Sequence, residues 1–141
     1  MLQRGSHAVY ELGYHFVWIP KRRRPLLQDR LARRLAELLR EICDDHGWQC
    51  RDLSIQADHV HVFLEAPPRW SASHIIQALK GTTARTLFQE FPHLRAELPS
   101  GELWSDGYFV RGVGEKVTAQ IVQRYIRHQD QQDKGQQLKL W

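Results

Sequence analysis

The run DHVHVFLEA, Asp58 to Ala66, carries two histidines one residue apart in an otherwise apolar setting. On a strand, side chains alternate between faces, so His59, His61 and Phe63 share one face and Val60, Val62 and Leu64 the other. The two imidazoles then project in parallel from Cα atoms about 6.6 Å apart and can converge on one divalent ion. Such an ion needs a third protein ligand and open positions before it does chemistry. Near the C-terminus, Tyr125 and Gln129 lie four apart in IVQRYIRHQ and share a helix face. If that face turned toward the histidines, Gln129 could offer its amide oxygen to the ion and Tyr125 could stand beside it as a nucleophile. A phenol, with a pKa near 10, attacks well only where a cation or base favours the phenolate. A metal can also polarise a phosphate oxygen and stabilise charge on a leaving oxygen. Taken one at a time, these residues have commoner explanations. Histidine is frequent on half-exposed sheets, and Tyr125 belongs to the stripe Ile121, Val122, Tyr125, Ile126 and can simply pack. Spacing alone leaves both readings open.

The elements that must position these residues are legible in the hydrophobic pattern. Tyr10, Leu12, Tyr14, Phe16 and Trp18 alternate with a period of two, which predicts a strand ended by Pro20. Leu27, Leu31, Leu35, Leu38, Leu39 and Ile42 recur at three and four, the stripe of a helix stopped by Gly47. WQCRDLSIQ (48–56) reads as a second strand, joined tightly through Ala57–Asp58 to the histidine strand. After PPRW, Ser71 or Ser73 can cap a helix through HIIQALKGTTARTLFQEF. Pro92 and Pro99 bracket a loop, GYFVRGV (107–113) is a short strand, and Thr118 can cap a last helix, AQIVQRYIRHQDQQ. The order β-α-β-β-α-β with an added helix predicts an α+β, ferredoxin-like antiparallel sheet, helices on one face, and a C-terminal helix carrying the tyrosine. One domain spans 1–134, and residues 135–141 form a polar tail in which Leu138, Leu140 and Trp141 could dock.

Bulk properties narrow the class. The chain has 141 residues, enough for one core. No run approaches the length that crosses a bilayer, and the N-terminus lacks an apolar signal core, so a cytoplasmic protein is expected. Cys43 lies on the helix stripe and reads as a small core residue. It and Cys50 form no CxxC pattern, which makes a disulfide or zinc pair a poor reading. Net charge is +4. The basic residues cluster between Pro20 and Arg40, most densely in Lys21, Arg22, Arg23 and Arg24. Such a patch suits phosphate backbones, although a solvated helix face beside a charged loop accounts for it equally well.

Taken together, these segments resemble the single-tyrosine HUH transposases of the TnpA type, small insertion-sequence transposases that act on single-stranded DNA. HUH stands for His, a bulky apolar residue, His, which His59-Val60-His61 fits. The resemblance covers nearly the whole chain: YHFVWIPKRRRPLL (14–27), ADHVHVFLEAPP (57–68), LKGTTARTLFQEFPHL (79–94), LWSDGYFVRGVG (103–114) and IVQRYIRHQ (121–129) occur in order. It implies an HUH endonuclease fold and a DNA transposase. Tyr125 would cut single-stranded DNA at hairpin-marked element ends through a 5′-phosphotyrosine intermediate. His59, His61 and Gln129 would hold Mg²⁺ or Mn²⁺. Lys21, Arg22, Arg23 and Arg24 would contact phosphates, with Lys80 and Arg85 as further DNA-binding candidates. Trp70 or Tyr108 could stack on bases, although packing is the commoner role for both. The implied partners are DNA hairpins and a second copy of the chain, whose site the tyrosine helix can complete after Gly112 and Gly114. The setting is a prokaryotic cytoplasm, at the nucleoid.

Other readings share parts of the pattern. Repeat-associated HUH nucleases act on short chromosomal hairpins without moving themselves. RNA-recognition domains have the same element order but carry aromatic runs where His59 and His61 stand. Relaxases and replication nickases share the HUH chemistry in larger chains. A non-catalytic nucleic-acid-binding or metal-binding ferredoxin-like module is the remaining alternative.

Overall fold

The computed structural model describes residues 3–4, 9–10, 12–112 and 119–139. Strand β1 (Gln3–Arg4) pairs with β2 (Val9–Tyr10) in a separate small ribbon. The alternation expected from Tyr10 onward is therefore split: Tyr10 belongs to the ribbon, and the main strand β3 begins at Gly13 and runs to Trp18. Helix α1 (Asp29–His46) buries the apolar stripe Leu31, Leu35, Leu38, Leu39, Ile42 and Cys43, as its three-and-four spacing requires. It ends at Gly47, whose φ of 75° is a left-handed conformation that glycine reaches without a Cβ penalty.

Strands β4 (Gln49–Gln56) and β5 (His59–Glu65) form a hairpin through the expected turn at Ala57–Asp58. Helix α2 (Ala72–Glu90) is capped by Ser71, whose hydroxyl accepts a hydrogen bond from the His74 backbone N–H at 3.1 Å. The stretch between Pro92 and Pro99, expected as plain loop, contains a single helical turn, α3 (Leu94–Glu97), pinned by buried Leu94. Strand β6 (Phe109–Gly112) and helix α4 (Ala119–Lys139) complete the chain. The helix continues through 135–139, which the sequence suggested as tail. Thr118 and Gly114 lie outside the described residues.

The sheet is antiparallel, in the order β4-β5-β3-β6. This is the split βαβ arrangement with one added helix. Phe16, Trp18, Val60, Val62 and Leu64 are each fully buried on the face covered by α1 and α2. The opposite face is not left entirely open. There Val17 and Ile19 form a second, smaller cluster with Val122 and Ile126 of α4. No described helix is long and apolar enough to cross a membrane. Cys43 and Cys50 are both free thiols.

Candidate active site

Register fixes which side chains share the face away from α1 and α2. Phe63 pairs with His15 and His61 with Val17 across β3 and β5. On the outer side, Asp52, Ser54 and Gln56 of β4 face Phe63, His61 and His59. Phe109 and Arg111 of β6 pair with Val17 and His15. Cross-strand partners point to the same face, so this surface gathers three imidazoles, one carboxylate and one guanidinium around a sheet centre that is otherwise apolar. A β-bulge at Arg51 makes this possible on β4, because the extra residue shifts the register between Cys50 and Asp52. Arg51 in turn pairs with the buried carboxylate of Glu65.

His61 and His59 have different neighbours. His61 Nε2 lies 3.2 Å from Nδ1 of His15, and the His15 ring stacks on Phe63 at 4.4 Å between centroids. Burial pulls the His61 imidazole below the ordinary histidine range, helped by the neighbouring His15, with the Asp52 carboxylate acting the other way. Burial lowers His15 in the same manner, again against Asp52. Both rings are therefore neutral near pH 7, the form that can bind a cation. His59 Nδ1 meets Asp58 Oδ1 at 2.9 Å. Burial works to raise Asp58, but hydrogen bonds from His59 and Arg23 outweigh it and hold the carboxyl below its usual range. A carboxylate on one ring nitrogen orients the other, as in many metal sites.

Arg23 links this corner to the last helix. Its guanidinium reaches Asp58 Oδ2 at 3.0 Å and Asp130 Oδ2 at 3.9 Å. It can do so because Arg22 and Arg23 adopt left-handed φ values of 59° and 54°, which turn the basic loop back onto the sheet. The basic turn is thus partly used inside the fold. Lys21 pairs with Glu102 at 2.8 Å, Arg24 donates to the Glu97 carbonyl at 2.6 Å, and Arg22 is the exposed member of the four.

Tyr125 packs on the same sheet face as the histidines, and Gln129 lies one turn further along α4, beside the Asp130 that meets Arg23. The Tyr125 ring packs 6.1 Å from Phe109, and its hydroxyl oxygen is buried. Gln129 is buried and donates from Nε2 to Ser105 Oγ at 3.1 Å. Its Oε1 lies against Gly107, where an added Cβ would come within 3.5 Å. Beneath α4 runs the column of Val17 and Ile19, capped by Val122 and Ile126. Within this subunit the structure brings His61 together with His15 and His59 with Asp58, Tyr125 with Phe109 of β6, and Gln129 with Ser105 and Gly107. Among the described residues no three His, Cys, Asp or Glu side chains are already gathered closely enough to hold an ion.

The remaining candidates have structural contacts. Lys80 donates to the carbonyls of Ser105 at 2.8 Å and Gly107 at 2.9 Å, and burial lowers its ammonium below the ordinary lysine range, opposed by Asp106. It braces the segment on which Gln129 rests. Arg85 is exposed on a cleft of about 670 Å³ lined also by Phe88, Arg95 and Trp104. Trp70 packs against Trp48 and His46, and Tyr108 against Phe16, the packing roles that were the commoner expectation. His15, Asp52 and the Arg23–Asp58 tie did not emerge from the sequence. His15 falls in the polar phase of the β3 alternation, and only the β3–β5 register places it beside His61.

A four-stranded split-βαβ sheet with a His-apolar-His strand, and a terminal helix carrying a tyrosine across the same face, is the architecture of the single-tyrosine transposases. The comparisons agree. The family described as "Transposase IS200 like" matches residues 8–129. The ISDra2 transposase TnpA of Deinococcus radiodurans is 36% identical over 128 residues, covering 91% of each chain. The transposase of insertion sequence IS200 from Salmonella typhimurium is 36% identical over 136 residues, covering 96% of this chain and 88% of its own. The crystal structure of a protein assigned as a transposase of Deinococcus radiodurans R1 superposes with a TM-score of 0.82 at 38% identity, over 90% of this chain and 97% of that one. A REP-associated tyrosine transposase bound to a REP hairpin shares the fold, with a TM-score of 0.54 at 13% identity over 89% of this chain and 66% of that one. The chain belongs to the IS200-like transposase family, and is a transposase of the insertion-sequence type.

Proposed function

We propose that this transposase cuts and rejoins single-stranded DNA at hairpin-marked element ends through a 5′-phosphotyrosine intermediate on Tyr125. The observation that carries the reading is the shared face. His59, His61, Tyr125 and Gln129 all lie on the side of the sheet away from α1 and α2. His59, His61 and Gln129 would hold the divalent ion, Mg²⁺ or Mn²⁺. The donor set fits, since two neutral imidazoles and an amide oxygen suit Mn²⁺ at least as well as Mg²⁺. When bound, the ion would polarise a phosphate oxygen and ease departure of the leaving oxygen. Tyr125 loses its phenolic proton and its oxygen attacks the scissile phosphorus. The bond to the 3′ oxygen breaks, and that oxygen takes up a proton as a free 3′-hydroxyl. Attack by another strand's 3′-hydroxyl on the phosphotyrosine reverses the exchange and joins the strands. One phosphodiester is replaced by another, so no external energy source is required.

The protein acts as a dimer in which α4 can complete the partner's histidine site. One feature supports a dimer: β6 is an edge of the sheet on which Val110 is exposed. An exposed edge strand is a ready surface for a second copy. The DNA would approach the basic turn, with Arg22 its exposed charge and Lys21, Arg23 and Arg24 beside it, and with Arg85 and Lys80 along α2. A hairpin ligand is in keeping with the fold-related REP-associated enzyme. The relatives at 36% identity are insertion-sequence transposases, which favours mobility over the repeat-associated reading.

The test is incubation of the purified protein with Mn²⁺ and a labelled hairpin oligonucleotide from its own flanking DNA, read on a denaturing gel. A covalent adduct is expected for wild type and none for Tyr125→Phe, with hairpin binding retained in both. His59→Ala should bind the hairpin without cutting it. Cleavage by Tyr125→Phe would overturn the nucleophile assignment.

A further inference from the structure

We infer that Arg23 is a positioning residue that clamps the tyrosine helix onto the histidine strand, through Asp130 on one side and Asp58 on the other. The inference rests on the functional reading above and adds to it the part that sets where α4 sits.

The contacts form one chain. His59 Nδ1 meets Asp58 Oδ1 at 2.9 Å, and the other oxygen of that carboxylate accepts from Arg23 Nε at 3.0 Å. Arg23 Nη1 then lies 3.9 Å from Asp130 Oδ2. Asp130 directly follows Gln129 in α4. A guanidinium suits this place because its N–H groups diverge in a plane and can serve two carboxylates at once. A lysine ammonium has the charge but not the fork.

Two further observations point the same way. Arg22 and Arg23 have left-handed φ values of 59° and 54°. That backbone is unfavourable for residues with a Cβ, and two in succession persist only where the surroundings hold them. Here they aim the guanidinium back at the sheet instead of into solvent. The second observation is the spacing on α4. Val122, Ile126 and Asp130 recur every four residues and share one helix face. Val122 and Ile126 rest on Val17 and Ile19. Apolar packing is non-directional and lets a helix slide or roll. A charged contact on the next turn fixes the rotation, and with it the place of Gln129. The clamp joins the basic turn to whichever α4 lies on the sheet, so a helix supplied by a second copy would meet the same arginine. Both ion pairs are partly exposed, so each is individually weak. A weak contact suffices for positioning, because a misplacement of about 1 Å at a reacting group costs roughly a hundredfold in rate.

The experiment compares the full chain with Arg23→Gln, Asp130→Asn and the double variant. In native-state hydrogen exchange, each single variant should lower the protection of α4 amides roughly two- to fivefold, and the double variant no further. Protection in α1 should stay as in wild type, which reports an intact fold. Additive losses, or wild-type protection in α4, would overturn the clamp. Hairpin binding, titrated at several salt concentrations, should keep its affinity and its salt slope in both single variants. A slope smaller by about one in Arg23→Gln alone would make Arg23 a phosphate contact and overturn the inference. With Mn²⁺, adduct formation on the bound hairpin should slow roughly tenfold or more in both. Asp130→Glu, which keeps the charge, should recover most of that rate. If wild type forms no adduct while exchange shows the coupled loss, the functional reading fails and the clamp stands. If wild type forms the adduct and the variants form it equally fast, the reading stands and the positioning role fails.

Discussion

Helix α4 is held to the rest of the protein by a cluster separate from the main core, and removing one side chain should release it without unfolding the domain. Ile126 is fully buried, and among the described residues its cluster is Val17, Ile19 and Val122, with Phe109 and Tyr125 at its edge. Truncation to alanine removes the transfer free energy of the side chain and leaves part of a cavity. At such a site the loss is about 2–3 kcal/mol, the low end of the range for buried Ile→Ala because α4 can settle. Each 1.4 kcal/mol is a factor of ten. Amides of α4 around residues 123–130 should therefore lose roughly 30- to 150-fold of their protection in native-state hydrogen exchange. Amides of α1 and β5 should keep theirs, because their side chains belong to the other cluster. Equal loss in all three elements would show one cooperative unit and refute the reasoning. No loss in α4 would mean that Gln129–Ser105 and Arg23–Asp130 hold it instead.

His15 and His61 have folded-state pKa values below the ordinary 6.5, so the unfolded chain binds more protons under that pH. Stability should be complete above about pH 6.5 and fall as pH drops through the lowered values; melting curves from pH 8 to 5 should show this slope, reduced in His15→Phe. The Cys50 thiol is lowered to about 7, chiefly by its hydrogen bond with Cys43, with Arg40 assisting against burial, whereas Cys43 is pushed up. Iodoacetamide at pH 7.5 should label Cys50 well before Cys43, and Cys43→Ala should move the labelling midpoint toward the ordinary thiol value of about 8.5. Mixing Tyr125→Phe subunits with His59→Ala subunits should restore adduct formation, carried by the His59→Ala chain; failure of every mixed ratio would place the tyrosine in its own subunit's site.

The valine–histidine alternation of β5 could be read without coordinates because burial on one face enforces a period of two, and the structure keeps Val60, Val62 and Leu64 in the core. The α1 stripe was legible for the same reason at a period of 3.6. What escaped was anything that depends on register between distant segments. His15 is 46 residues from His61, and no local pattern announces their contact. The basic turn looked like four equivalent charges, but two left-handed residues fold Arg23 back to Asp58, and sequence carries little sign of such conformations outside glycine and asparagine. The position of α4 was half legible. Its apolar stripe pointed Val122 and Ile126 at the sheet, but the place of Tyr125 is set by Phe109 and that of Gln129 by Ser105 and Gly107, contacts between separate segments.

The most direct test is to locate the covalent bond. Wild-type protein is reacted with the hairpin oligonucleotide, then digested with nuclease and trypsin. Cleavage after Arg124 and Arg127 isolates the tripeptide Tyr125–Ile126–Arg127, and mass spectrometry should find a 5′-nucleotide phosphate on it. A nucleotide on Tyr14 or Tyr108, or strand cutting that leaves no protein-bound nucleotide, would contradict the account.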